Sequence, residues 1–216
     1  GRIKEIYEPW MSLEIFSPTE YYGVIMEMVR YDFRAKYLGS YLGILWAFVH
    51  PVINICVMWF VFSVGFKSGG IGNVPFVPWL SAAMIPWFYF ADTVNDATSS
   101  ILASAFLVKK TDFRLSLLPV VKLLSNAIIH VVLLFVLVGI LLLYGFRPNI
   151  MWLQFIYYYT AMFCLILGLS WITSSMAVFT KDVNNVVAVT VQIGFWATPI
   201  FWNLDMLSQN VAFYIK

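Results

Sequence analysis

Long apolar runs separated by short charged ones organise this chain. Charge-free intervals extend from Lys36 to Lys67, Lys67 to Asp92, Lys122 to Arg147, Arg147 to Lys181 and Asp182 to Asp205. A helix needs roughly 20 apolar residues to cross a bilayer, so each interval holds one span. The predicted limits are about 39–66, 76–98, 118–145, 151–179 and 184–202. Strands of a membrane barrel would alternate over shorter segments, and these runs are too long and too continuously apolar for that. Ahead of the first span, Ser17, Pro18, Thr19 and Glu20 have the form of a capping box with proline at the first helical position. A helix therefore starts at about residue 18. Tyr21, Val24, Ile25, Met28 and Val29 share one side of it, and Glu20, Glu27, Arg30 and Arg34 fall mostly elsewhere. Such a helix lies in the membrane interface or packs on a partner protein. Residues 1–36 thus read as an N-terminal cytoplasmic or interfacial segment, and 37–216 as an all-α, polytopic transmembrane domain.

Composition agrees with the pattern. Hydrophobic residues make up 62% of the chain and charged ones 11%, and the mean hydropathy of +0.84 lies outside the range of soluble domains. A formal net charge of +2 offers nothing to nucleic acid. Basic residues instead set the orientation. Arg30, Arg34 and Lys36 precede the first span, Lys109, Lys110 and Arg114 join the second to the third, and Lys181 joins the fourth to the fifth. Those three places are therefore cytoplasmic, as is the N terminus, and 67–75, 146–150 and 203–216 are external. No removable signal peptide is expected, and an even number of spans, six, is expected of the full protein. Cys56 and Cys164 lie inside apolar runs and read as buried free thiols, not as a disulfide or metal site.

Polar residues inside the spans are the candidate chemistry. At about 100° per residue, Gly39, Gly43, Trp46, His50 and Asn54 fall in one stripe of the first span. Gly39 and Gly43 form a GxxxG pair suited to close helix packing. The polar members are expected to face protein or a water-filled path, and Pro51 is expected to loosen the register before Asn54. A second stripe, Gln192, Phe195, Trp196, Pro199 and Trp202, marks the fifth span. It serves packing, an interfacial belt, or a wall on which sugar rings stack. Asp92 and Asp96 lie one turn apart on the second span. They suggest acid/base chemistry, but no further group completes an enzyme site. His130 is expected to be a satisfied interhelical hydrogen-bonding residue. In the connection 105–119, Phe113 among Lys109, Lys110, Asp112 and Arg114 has the make-up of a docking knob, an apolar anchor with a polar rim. The turn holding Lys181 and Asp182 faces the same side. Arg30, Arg34 and Lys36 sit at phosphate depth, for ordinary lipid or for a lipid pyrophosphate.

Taken together, RAKYLGSYLGILWAFVHPVI (34–53), FVFSVGFKSG (60–69), VPFVPWLSAAMIPWFYF (74–90), LVKKTDFRLSLLPVV (107–121), VFTKDVNNV (178–186) and FWATPIFWNLD (195–205) are similar to the permease subunit of ABC-2 type polysaccharide and polyol-phosphate exporters. O-antigen, capsule and wall teichoic acid permeases belong to that family, and the VPFVPWL loop and FWNLD ending resemble the teichoic acid branch. The resemblance implies a homodimer in the bacterial cytoplasmic membrane. It implies six spans per copy, a coupling helix at 107–119 docked on one of two separate ATPase subunits, and an undecaprenyl-pyrophosphate-linked polymer as cargo. It also places the first and fifth spans beside the polymer, so that Trp46, His50, Asn54, Gln192, Phe195, Trp196 and Trp202 contact it. No G-x-x-x-x-G-K-[ST] loop occurs, so the partner ATPase is expected to use ATP and Mg²⁺ and this chain to hold no cofactor. A secondary transporter would show internal repeats or broken helices around a compact site, and a membrane enzyme a clustered catalytic set.

Overall fold

The computed structural model describes residues 18–37, 42–65, 74–104, 115–200 and 202. Within them the chain forms helices α1 (Pro18–Tyr37), α2 (Gly43–Trp59), α3 (Phe76–Ala103), α4 (Leu117–Leu143), α5 (Gln154–Phe179) and α6 (Asp182–Ala197). A π-helical turn, Phe60–Gly65, continues α2, and a 3₁₀ turn, Ile150–Leu153, leads into α5. Proline opens α1 because its missing N–H costs nothing in the first turn. Asn149 caps the 3₁₀ turn by accepting from the Ile150 amide at 2.6 Å.

Three of the five predicted spans are long and apolar enough to cross a membrane: Gly43–Gly65, Leu117–Leu143 and Ile150–Phe179. The other two predicted spans are helical but different in kind. With 16 residues, α6 is shorter than a bilayer crossing needs. At 28 residues α3 has the length, but it carries Asp92, Asn95, Asp96 and a series of serines and threonines. Its role is to hold the others together. Twelve of its residues are buried, against Pro51 alone in α2, and it packs on α2, α4, α5 and α6.

Small side chains let α3 and α5 approach closely, as apolar solvent requires of helix pairs. Thr93, Ala97 and Thr98 of α3 and Ser170, Ser174 and Ala177 of α5 are all buried, and the hydroxyls of Thr98 and Thr173 hydrogen-bond at 2.8 Å. Further along, Tyr89, Val94, Leu123, Ile166 and Val187 join α3 to α4, α5 and α6. At one end Phe76, Leu80, Met84 and Ile200 collect Ile55 and Met58 from α2, Phe62 from the π-helical turn, and aromatic residues from α3 and α6.

Helix α1 lies on α4 of its own chain. Val29 is buried, and Phe33 and Tyr37 join a cluster built on Ile129, Leu133 and Leu137. Two ion pairs fasten it: Lys36 to Asp96 of α3, and Asp32 to Lys122 of α4. Cys56 and Cys164 are free and exposed, which corrects the expectation of burial. An apolar run marks a lipid-facing surface as readily as a core.

Candidate functional site

Helices α1, α2, α3 and α4 line an open cavity of about 490 Å³ whose wall includes Lys36, His50, Asp92, Asp96, Asn126 and His130. Helix α2 supplies Trp46, His50 and Asn54 to it, so the sequence stripe does share one wall. Pro51 does not throw Asn54 out of register. The Asn54 side-chain amide donates to the His50 carbonyl at 2.9 Å. Trp46 and His50 stand with ring centroids 6.2 Å apart.

Gly43 serves this wall differently from the predicted helix pairing. A Cβ there would run into the Tyr37 carbonyl, so glycine is required where the chain turns from α1 into α2. Gly39 lies outside the described residues.

Opposite α2, a polar triad closes the cavity. The Lys36 ammonium donates to Asp96 Oδ2 at 2.6 Å and to Asn126 Oδ1 at 3.0 Å, and Asn126 Nδ2 donates to the same carboxylate oxygen at 3.0 Å. Burial works against the Lys36 charge, but the Asp96 carboxylate beside it outweighs burial and lifts its pKa above the ordinary lysine value. Arg30, Arg34 and Lys36 are all exposed, but Lys36 also lines the cavity and is engaged by Asp96 and Asn126.

Deeper in the wall, the buried His130 ring stacks on Tyr89 at 4.4 Å and stands 5.2 Å from Tyr159. Neither ring nitrogen has a hydrogen-bond partner, which corrects the expectation of a satisfied histidine. Its neighbours are ring faces, and the Tyr89 hydroxyl is spent on the Leu123 carbonyl at 3.2 Å. Asp92 also lines the cavity.

The fifth-span stripe lies elsewhere. Phe195 packs on Trp87 of α3 with centroids 5.9 Å apart, and Gly194 leaves room for that indole, whose edge would stand 3.1 Å from an added Cβ. Gln192 and Trp196 are exposed, and the Trp202 indole donates to the Trp196 carbonyl at 3.2 Å. None of Gln192, Phe195, Trp196 and Trp202 lines the cavity. Among the described residues the two stripes do not share this cavity; α2 and α6 each pack on α3.

Of the predicted coupling segment, Lys109, Lys110, Asp112, Phe113 and Arg114 lie outside the described residues. Its end is anchored where Trp171 Nε1 donates to the Ser116 carbonyl at 3.0 Å. Lys181 and Asp182 are exposed at the turn into α6. Sequence reasoning passed over Asn126, Lys122, Asp32 and Tyr89. The available signal was Lys122 and Asn126, one turn apart near the start of an otherwise apolar helix.

Residues 24–215 match the family model described as ABC-2 type transporter. Among curated proteins, the chain is similar to the O-antigen export system permease protein RfbA of Klebsiella pneumoniae, 24% identical over 90% of this chain and 74% of that protein. It is also similar to the O-antigen export system permease protein RfbA of Myxococcus xanthus, 26% identical over 89% of this chain and 73% of that protein.

Proposed function

Because the chain belongs to the ABC-2 type transporter family, whose membrane subunits work with separate ATPase subunits, we propose that it is the permease of an ATP-driven exporter of a lipid-pyrophosphate-linked cell-envelope polysaccharide. One observation carries the reading: the O-antigen export permeases align over about 90% of this chain. Their names favour an O-antigen-type polysaccharide over the teichoic acid expected from the sequence.

In this reading two copies, each with its N terminus in the cytoplasm, form the passage. Two ATPases, using ATP and Mg²⁺, drive it through 107–119 and the Lys181–Asp182 turn, shifting packed helices against one another. The exposed Gln192 and Trp196 face the moving chain or the second copy, with Phe195 and Trp202 behind them. Arg30 and Arg34, exposed on α1, receive the undecaprenyl pyrophosphate. Lys36, bound to Asp96, does not.

The test is to purify the tagged chain from its own cells with whatever ATPase accompanies it, and to delete its gene. The expected result is a stoichiometric ABC ATPase in the preparation and loss of surface polysaccharide in the deletion strain. Replacing Phe113, Lys109, Lys110 and Arg114 by alanine should uncouple ATP hydrolysis from export. An ATPase-free preparation with unchanged surface polysaccharide would sink the reading.

A further inference from the structure

Among the described residues, helix α5 makes two side-chain hydrogen bonds to other helices, and both come from one short stretch of it. The Thr173 hydroxyl meets that of Thr98 on α3 at 2.8 Å, and Trp171 Nε1 donates to the Ser116 carbonyl at 3.0 Å. Thr98 lies near the end of α3 at Ala103, and Ser116 directly precedes α4. A single turn of α5 therefore holds both ends of the connection between α3 and α4.

Each of those ends is weakly held by its own helix. Ser116 stands at the N-cap of α4 but makes no side-chain capping bond. The Leu118 amide donates to the Leu115 carbonyl at 3.1 Å, and the next position is Pro119, which has no amide to add. At the end of α3 the Ser99 and Ser100 hydroxyls turn back to the carbonyls of Asp96 and Ala97 at 3.1 and 2.6 Å, a bonding habit that loosens a helix. Thr98 turns back in the same way to Val94, and it also reaches α5. Trp171 is 43% exposed, so other directions are open to its indole. An indole N–H can only donate, and here it is spent on α4.

We propose that Trp171 and Thr173 are positioning residues for transport: they fix α3 and α4 to one turn of α5, so that the three helices shift together when the connection is displaced, and α4 does not flex at its start. The role rests on the export reading, in which the ATPase displaces 107–119. Polar bonds between helices matter in this setting because helix pairs in lipid have no hydrophobic drive to associate. Such a hold governs how much of the ATPase's motion reaches the bundle. It does not govern the rate of ATP hydrolysis, which belongs to the partner.

The experiment uses the full chain with its ATPase in nanodiscs and compares Trp171→Phe, which keeps a ring but loses the donor, with Thr173→Val and the hydroxyl-bearing Thr173→Ser. Amide hydrogen exchange should quicken about fivefold over residues 118–122 in Trp171→Phe. In cells, Trp171→Phe and Thr173→Val should each lower surface polysaccharide about fivefold while the purified complex hydrolyses ATP at the wild-type rate and melts at the wild-type temperature. Thr173→Ser should export as the wild type does. A merely structural role would lower melting, hydrolysis and export together, and that result overturns the proposal. Should Thr173→Val fail to fold, Trp171→Phe decides, since its site is partly open to the surroundings. Unchanged export in Trp171→Phe, or unchanged exchange at 118–122, also overturns it; if the ATPase still accompanies the chain, the export reading stands. Absence of the ATPase removes both, even where exchange shows that Trp171 holds α4.

Discussion

Lys36 and Lys122 each hold α1 to the bundle, but their removal should not cost the same. Without Lys36, Asp96 keeps the amide of Asn126 as a donor. Without Lys122, Asp32 loses its ion-pair partner while its side chain remains only 17% exposed. Removing one partner of a partly buried pair leaves the other uncompensated. An exposed pair contributes about 0–1 kcal/mol, and with side chains 34% exposed the Lys36–Asp96 bridge lies near that range. Lys122→Ala is therefore expected to lower thermal stability in detergent more than Lys36→Ala does, by roughly 1–2 kcal/mol. Equal losses would show that Asn126 does not support Asp96. The raised pKa of Lys36 fixes the sign of a pH effect. Its contribution is complete below the ordinary lysine value of 10.5 and disappears only as pH rises through the higher folded value. Stability from this pair should stay flat between pH 6 and 9, measured as the melting difference between wild type and Lys36→Ala.

Among the elements, two glycines of the described residues, Gly43 and Gly194, touch other segments and make contrasting predictions. At Gly43 the obstacle is the Tyr37 backbone carbonyl, which cannot move without unmaking the turn between α1 and α2. Gly43→Ala should cost about 2 kcal/mol or more, read as a melting shift. At Gly194 the obstacle is the outer edge of the Trp87 ring. Gly194→Ala should cost about 1 kcal/mol, read as a melting shift. Much of this element level was legible in the sequence. The predicted spans 118–145 and 151–179 fall on Leu117–Leu143 and Ile150–Phe179, because a strong, uninterrupted apolar run has only one way to satisfy its backbone in lipid. The first-span stripe was legible for the same reason: helical spacing places Trp46, His50 and Asn54 together whatever surrounds them. What it faces was not legible. The partners come from α1, α3 and α4, and no periodicity within α2 encodes that Lys36 reaches Asp96 across sixty residues of sequence. Helix α3 was read as an ordinary span because its apolar start outweighed the polar second half that makes it the hub.

For the whole molecule, polarity is arranged inward around α3, and the outer surfaces of α2 and α5 are apolar. Ile53 and Val57 on α2, Phe60 at the start of the π-helical turn, and Ile156, Leu165 and Ile172 on α5 are exposed, as helices bathed in lipid require. Cys56 and Cys164, the two cysteines of the chain, report on those surfaces. In sealed vesicles a charged maleimide should label neither, and in detergent both should react without unfolding. Protection of Cys56 in the detergent-solubilised assembly would place a second copy against α2. The fastening of α1 has a further mechanical meaning. Asp96 lies about two turns before the end of α3 and Lys122 within about two turns of the start of α4, so the charged rivets straddle the stretch that links those helices. A tug on that linkage reaches α1 through both pairs at once, and with α1 go Lys36 and Tyr37 of the cavity wall.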